Sequence, residues 1–283
     1  MSASGAVRTI SIGDREVNRL GFGAMRITGD GIWGPPKDPE EAKRVLRRAV
    51  DLGVNFIDTA DSYGPNVSEE LIGEVLAPYP DDVVIATKGG QLRPGPGRWE
   101  PDGRPEHLRA ALEGSLSRLK LERIDLYQLH RPDPKVPYEE SIGVLKEMQD
   151  EGEIAEIGVS NVSVEQLRQA RTIVEVRSVQ NRYSIEDQTS SEVLEACESA
   201  GIAFIPWAPV GRGSLAGGKS ALAQVAKEHD ATPAQIALAW LLHRSKVMLP
   251  IPGTSKVAHL EENMGAASLD LSEEEFQKIG AAL

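Results

Sequence analysis

Asp58, Tyr63, Lys88 and His130 are the side chains of this chain whose types and spacing could do chemistry together. Asp58 ends the strand-like run Phe56-Ile57-Asp58, and Tyr63 follows in the next loop. Lys88 follows the apolar run Val83-Val84-Ile85-Ala86-Thr87, and His130 follows the run from Ile124 to Leu129. A tyrosine hydroxyl titrates near ~10 in water. A buried ammonium beside it favours tyrosinate and lowers that value. A carboxylate can hold the ammonium through a charge-assisted hydrogen bond. An imidazole can orient a carbonyl oxygen or assist proton delivery. Together the four side chains make a coherent acid site. Singly, each has an ordinary use: an aspartate caps a turn, a tyrosine covers a loop, a lysine ends a strand in solvent, and a histidine packs.

Residues up to 72 positions apart meet only if the fold gathers strand ends on one rim. The sequence supplies that rhythm. Eight strand candidates begin at Gly21-Phe22-Gly23-Ala24-Met25 and continue at Phe56–Asp58, Val83–Thr87, Ile124–Leu129, Ile154–Val159, Val174–Val179, Ala203–Trp207 and Val247–Ile251. Helical periodicity lies between them over Pro39–Leu52, Ser68–Leu76, Pro105–Leu119, Tyr138–Gln149, Val164–Arg171, Ser191–Ser199 and Leu222–Leu242, the last interrupted near Thr232-Pro233. Eight strands alternating with helices in 283 residues predict an α/β fold, a (β/α)8 TIM barrel in which chemistry sits at the carboxyl ends of the strands. Gly13-Asp14-Arg15 sits between two short apolar runs, so an N-terminal β-hairpin is expected over residues 7–20, able to plug the barrel bottom. Residues 1–283 then form a single domain. A doubly wound sheet is the competing fold. It normally carries Gly-x-Gly-x-x-Gly after its first strand, and here Arg26 stands where the third glycine belongs.

Composition narrows the partners. The formal charge of −12 and the absence of any Lys/Arg block argue against a nucleic-acid groove. No run reaches 18 apolar residues, so no membrane span is expected. Cys197 is the single cysteine, which excludes an intramolecular disulfide and an all-cysteine metal site. No metal is expected, and a cytoplasmic monomer is the expectation for location and assembly.

The segment Gly53-Val54-Asn55-Phe56-Ile57-Asp58-Thr59-Ala60, then Tyr63-Gly64, then Ser68-Glu69-Glu70-Leu71-Ile72-Gly73, resembles the signature of the aldo-keto reductases. The likeness covers nearly the whole chain. It implies an NADPH-dependent oxidoreductase, with NADH as a possible substitute, that reduces aldehydes or ketones to alcohols by hydride transfer. Asp58, Tyr63, Lys88 and His130 match the family's four catalytic positions. By that resemblance Tyr63 donates the proton, Lys88 lowers its pKa, Asp58 anchors Lys88, and His130 hydrogen-bonds the carbonyl oxygen.

The same resemblance distributes the cofactor over the later strands. Ser160, Asn161 and Gln180 are expected on the nicotinamide carboxamide, with Trp207 stacked on the ring. Pro209, Gly211, Arg212, Gly213 and Ser214 are expected over the pyrophosphate. Gly253, Thr254, Ser255, Lys256 and Asn263 resemble the adenosine-side motif, with Lys256 as partner of a 2′-phosphate. Gly253 replaces the lysine of many members, and His259 stands where arginine is common, so Lys256 must carry much of that contact. Met25, Trp33 and Trp99 are expected to line the substrate pocket, and aromatic anchors favour apolar or planar carbonyls. Small and aromatic aldehydes, sugar-derived carbonyls, quinones and a pyridoxal-like aldehyde all remain open. Two other readings stay open as well: a Schiff-base lyase using Lys88, and a non-catalytic nicotinamide-sensing accessory subunit.

Overall fold

The computed structural model describes residues 9–210 and 221–281. Two short strands, β1 (Thr9–Ile12) and β2 (Arg15–Asn18), form the antiparallel hairpin, with Gly13 at the turn. The expected second arm stops at Asn18 rather than Leu20, and Val7 lies outside the described residues.

Seven parallel strands follow: β3 (Phe22–Gly23), β4 (Phe56–Asp58), β5 (Val84–Gly89), β8 (Ile124–Leu129), β9 (Ile154–Ser160), β10 (Val176–Gln180) and β11 (Ala203–Phe204). They are neighbours in chain order, as a barrel requires. The antiparallel pair β6 (Gln91–Gly95) and β7 (Arg98–Pro101) stands apart, as an insertion after β5. Helices α1 (Pro39–Asp51), α2 (Val67–Leu76), α3 (Pro105–Leu119), α4 (Tyr138–Asp150), α5 (Val164–Arg171), α6 (Ser191–Ala200), α7 (Ala221–Glu228), α8 (Pro233–Arg244), α9 (Val257–Gly265) and α10 (Glu273–Ala281) surround the sheet.

The eighth segment closes the ring without becoming a regular strand. Phe204 N–H donates to Val247 O at 2.8 Å, and Leu249 N–H donates to Phe204 O at 2.8 Å. On its other side Gly21 N–H donates to Pro250 O at 2.9 Å. Pro250 and Pro252 have no N–H to give, so a full ladder cannot form on that seam. The first strand is also shorter than expected, because the chain turns into a 3₁₀ helix at Ala24–Ile27.

Packing explains the helices. Ala42, Val45, Leu46 and Ala49 put one buried stripe on α1, which starts at Pro39 behind the capping side chain of Asp38. Outward strand residues such as Ile57, Ile85, Tyr127, Ile157, Val179 and Phe204 meet these helical faces in one core.

The barrel interior changes character along each strand. Period-two alternation points Phe56 then Asp58, Val84 then Ala86 then Lys88, and Leu126 then Gln128, toward one side. The lower members join Ile12 and Val17 of the hairpin in a separate apolar cluster. The hairpin thus plugs the bottom, as expected, and polar side chains are left at the upper end.

Candidate active site

The upper end of the barrel is built around one carboxylate. Lys88 is 0% exposed, and its ammonium donates to Asp58 Oδ1 at 2.7 Å and to Thr59 O at 2.7 Å. The other carboxylate oxygen, Oδ2, accepts from Gln180 Nε2 at 2.8 Å and Gln128 Nε2 at 3.2 Å. A buried ion pair is tolerated when its remaining lone pairs are satisfied, and four strands contribute to that here. From Lys88 the chain of contacts reaches Tyr63, whose hydroxyl lies 3.5 Å from Nζ. The rings of Tyr63 and His130 meet edge to face at 5.9 Å, and Ser62 Oγ lies 3.3 Å from His130 Nδ1. The four residues singled out in the sequence are therefore gathered at one point.

Their electrostatics set their protonation. Burial raises the Tyr63 phenol above its ordinary value by more than the Lys88 cation lowers it. Lys88 acts in the expected direction, but the net shift is upward, so the phenol keeps its proton at neutral pH. Burial works against the Lys88 ammonium, yet the Asp58 charge and the contacts with Asp58 and Tyr63 outweigh it and raise its pKa. Burial, then Lys88 and Arg131, push His130 well below the usual imidazole range, so it is neutral. The arrangement can offer a neutral phenol proton, backed by a fixed cation, beside a neutral imidazole. An ammonium with a raised pKa that donates to Asp58, Thr59 and Tyr63 is a poor Schiff-base nucleophile, so the geometry disfavours the lyase reading.

The signature residues around this centre serve as its frame. Glu69, at the start of α2, is buried; it accepts from Thr87 Oγ1 at 2.5 Å and from Arg118 Nε at 2.8 Å. Thr59 and Ser68 hydroxyls lie 2.7 Å apart, and Ser68 donates to Ala24 O at 3.2 Å. Asp61 Oδ1 is buried and, among the described residues, has no hydrogen-bond partner. Burial first, then Glu69, raises the Asp61 carboxyl to about 8. Its folded pKa lies above its unfolded value, so its contribution to stability is fully present below the unfolded pKa and is lost as pH rises toward 8. Asp61→Asn is expected to gain stability over the parent across that window, by up to about 1.4 kcal/mol per pH unit. Thermal melts of both proteins at pH values from 4 to 9 check this; a constant difference would refute it.

The expected cofactor residues line the strand ends that follow. Ser160 Oγ donates to Gln180 O at 2.7 Å. Asn161, in the left-handed region at φ 57°, donates to His130 O at 3.1 Å and accepts from Trp207 Nε1 at 3.1 Å. Asn161 does not cap α5; Ser163 does, in a capping box with Gln166. Gln180 is 2% exposed and its amide nitrogen is committed to Asp58, deeper than a surface grip requires. Trp207 is half-buried with the Arg182 guanidinium 5.7 Å over its ring, and Pro209 is buried nearby in sequence. Gly211, Arg212, Gly213 and Ser214 lie outside the described residues.

On the far side, Gly253 and Gly23 approach closely across the seam. A Cβ on Gly253 would lie 2.5 Å from Gly23 O. That contact leaves no room for a side chain at position 253 unless the backbone shifts. Thr254 is buried, and its hydroxyl accepts from Lys256 N–H at 3.1 Å. Ser255 and Lys256 are exposed just before α9, whose first amide, Val257 N–H, donates to Glu41 Oε1 at 3.0 Å. Asn263 is buried in the last turns of α9. Exposed Lys256 at a helix N-terminus is a suitable anion partner. Among the described residues, the Thr254 and Ser255 N–H groups have no internal acceptor. These donors fit a phosphate-bearing group.

At the substrate side, Met25 is half-buried on the 3₁₀ turn. Trp33 and Trp99 both lie against Arg93, with the guanidinium 5.5 Å and 3.6 Å from their ring centres. Trp33 also forms a bridge with Gly64, next to Tyr63. Arg93, Gln128, Glu69 and Ser62 were not anticipated as parts of this site. Gln128 had a signal, since it lies two residues before His130 and alternation places both inward. Arg93 had none, because it sits in a Gly/Pro-rich connection.

Comparison with known proteins follows the same lines. The chain is 51% identical over 271 residues to an uncharacterized oxidoreductase of Schizosaccharomyces pombe, covering 96% of this chain and 88% of the relative. It is 45% identical over 273 residues to pyridoxine 4-dehydrogenase of Escherichia coli, covering 94% and 95%. Among solved structures, a glycerol dehydrogenase from Gluconobacter oxydans superposes with a TM-score of 0.88 at 27% identity, covering 97% and 94%. An aldo-keto reductase from Klebsiella pneumoniae in complex with NADPH superposes with a TM-score of 0.80 at 25% identity, covering 96% and 93%. A model of the aldo/keto reductase family matches residues 19–283, and with the barrel and its strand-end cluster in view, the chain belongs to the aldo-keto reductase family.

Proposed function

We propose that the chain is an NADPH-dependent reductase of aldehydes and ketones, with Tyr63 as the proton donor. The observation that carries this reading is the continuous contact from Asp58 through Lys88 to Tyr63 beside neutral His130. The cofactor, when bound, supplies the hydride for the carbonyl carbon. Oxygen then gains negative charge, and the Tyr63 hydroxyl supplies a proton to it. Lys88 stabilises the tyrosinate left behind, while Asp58, with Gln128 and Gln180, fixes the lysine. His130 stays neutral and orients the carbonyl oxygen through an N–H. Ser160, Asn161 and Trp207 hold the nicotinamide end while Gln180 stays on Asp58, and Thr254, Ser255, Lys256 and Asn263 hold the adenosine end. The likeness to a pyridoxine dehydrogenase makes a pyridoxal-type aldehyde a substrate to include.

The test is a carbonyl panel containing pyridoxal, benzaldehydes, quinones and small aldehydes, run with NADPH and NADH while the absorbance of the reduced nicotinamide is followed. Turnover with a preference for NADPH is the expected result. Tight NADPH binding with no oxidation across the panel would instead favour the accessory-subunit reading. Lys256→Ala is expected to raise the Kd for NADPH about tenfold, as losing roughly 1.4 kcal/mol does, and to leave that for NADH nearly unchanged. Fluorescence titration measures both; equal losses would remove Lys256 from the 2′-phosphate.

A further inference from the structure

Arg93 is a buried cation with an unusual set of partners. It is 9% exposed. Its Nη1 donates to Ile32 O at 2.8 Å and to Ser62 O at 3.1 Å, its Nη2 to Gly31 O at 3.2 Å, and its Nε to Arg98 O at 3.1 Å. All four acceptors are backbone carbonyls. Among the described residues no carboxylate pairs with this guanidinium. Its flat face lies 3.6 Å from the centre of the Trp99 ring, and Trp33 lies 5.5 Å away.

The four carbonyls come from three separate pieces of chain. Gly31 and Ile32 belong to the loop after β3. Ser62 directly precedes Tyr63 in the loop after β4. Arg98 starts β7 in the hairpin inserted after β5. Alternation along β6 turns Gln91 and Arg93 inward while Leu92 and Pro94 face solvent. A guanidinium presents five donors in a rigid plane, so one side chain can tie several loops that have little apolar core of their own. An ammonium could not span these acceptors. The hairpin also leaves the barrel as an isolated two-stranded sheet, which is marginal without an external tie.

We propose that Arg93 is a specificity-determining positioning residue, which clasps these three loops and fixes Trp33 and Trp99 as the wall of the carbonyl pocket beside Tyr63. The proposal rests on the carbonyl-reductase reading for its kinetic consequence and on the geometry alone for its structural one. A substrate large enough to reach the two indoles feels the clasp. A three-carbon aldehyde held at Tyr63 and His130 feels it far less, through Ser62 alone.

The test uses Arg93→Lys and Arg93→Met in the full chain. For bulky aromatic aldehydes KM is expected to rise about 10- to 100-fold with kcat nearly unchanged, the signature of lost uniform binding. For propanal the rise in KM should be at least about tenfold smaller, because only the Ser62 carbonyl links Arg93 to Tyr63, and the Kd for NADPH should change little. Amide hydrogen exchange should accelerate in residues 29–34, 60–64 and 91–101 and nowhere in the barrel strands. A loss that is equal across large and small substrates, or one carried by kcat, overturns the proposal. If the Arg93 variants do not fold, Trp99→Ala and Trp33→Ala with Arg93 intact must give the same size-dependent rise in KM, and its absence also overturns it. Should the parent turn over no carbonyl, the reductase reading fails by itself, and the exchange pattern still decides whether Arg93 clasps the loops.

Discussion

Tyr63→Phe is expected to lower kcat for carbonyl reduction about 10²- to 10⁴-fold, the range for losing a positioned general acid. The Kd for NADPH should stay within about twofold, because a single ring oxygen is removed from a side chain already packed against His130. The effect is large because the structure offers no substitute at that point. Lys88 is committed to Asp58 and Thr59, and His130 is held neutral by burial. The same protonation states predict a chemical step that is flat just below about pH 7 and slows as Asp61, raised to about 8, ionises and holds the Tyr63 proton more tightly. Tyr63 loses its proton only above its ordinary value, and His130 gains one only well below its own. Single-turnover measurements check both statements. Retained turnover in Tyr63→Phe would remove it as the proton donor.

Lys88→Met is expected to damage the protein twice. It removes the cation that would stabilise the tyrosinate, so turnover should fall by a factor comparable to that of Tyr63→Phe. It also leaves the Asp58 carboxylate buried with only the two amide donors of Gln128 and Gln180. Breaking a buried pair from one side costs about 3–5 kcal/mol, which lowers the melting temperature by roughly 10 °C in a chain of this size. Asp58→Asn with Lys88→Met should recover part of the stability and none of the activity. If Lys88→Met melted like the parent, the pair would not be holding the centre of the barrel. A parent-like turnover would separate Lys88 from the chemistry.

The sequence carried the strand ends better than the seams. Asp58, Lys88 and His130 are legible because each follows an apolar run, and chain order makes those runs neighbours. The eighth segment was read as a strand from its apolar content. Its two prolines limit it to bridging bonds, and a single sequence does not reveal which side of a segment must donate. The β6–β7 hairpin was missed for a related reason. Pro94, Gly95, Pro96 and Gly97 read as an irregular connection, although Pro96-Gly97, with Gly97 at φ 71°, makes the two-residue turn between the paired Gly95 and Arg98. Local periodicity also says nothing of Gln180 reaching Asp58 across 122 positions.

The buried side chain of Arg19 gives the closed ring a kinetic meaning. It leaves the plugging hairpin and donates to Met248 O at 3.0 Å and Leu242 O at 2.8 Å, across 229 and 223 positions of chain. Burial lowers its guanidinium to about 10. Such a contact spans as many positions as the Gly21–Pro250 bond on the same seam, and loop closure must be met before it rewards the chain. The latch therefore belongs to the final stage of folding, after the intervening units have docked. Weakening it by Arg19→Met is expected to leave the folding rate nearly unchanged and to hasten unfolding, which stopped-flow refolding and unfolding rates check.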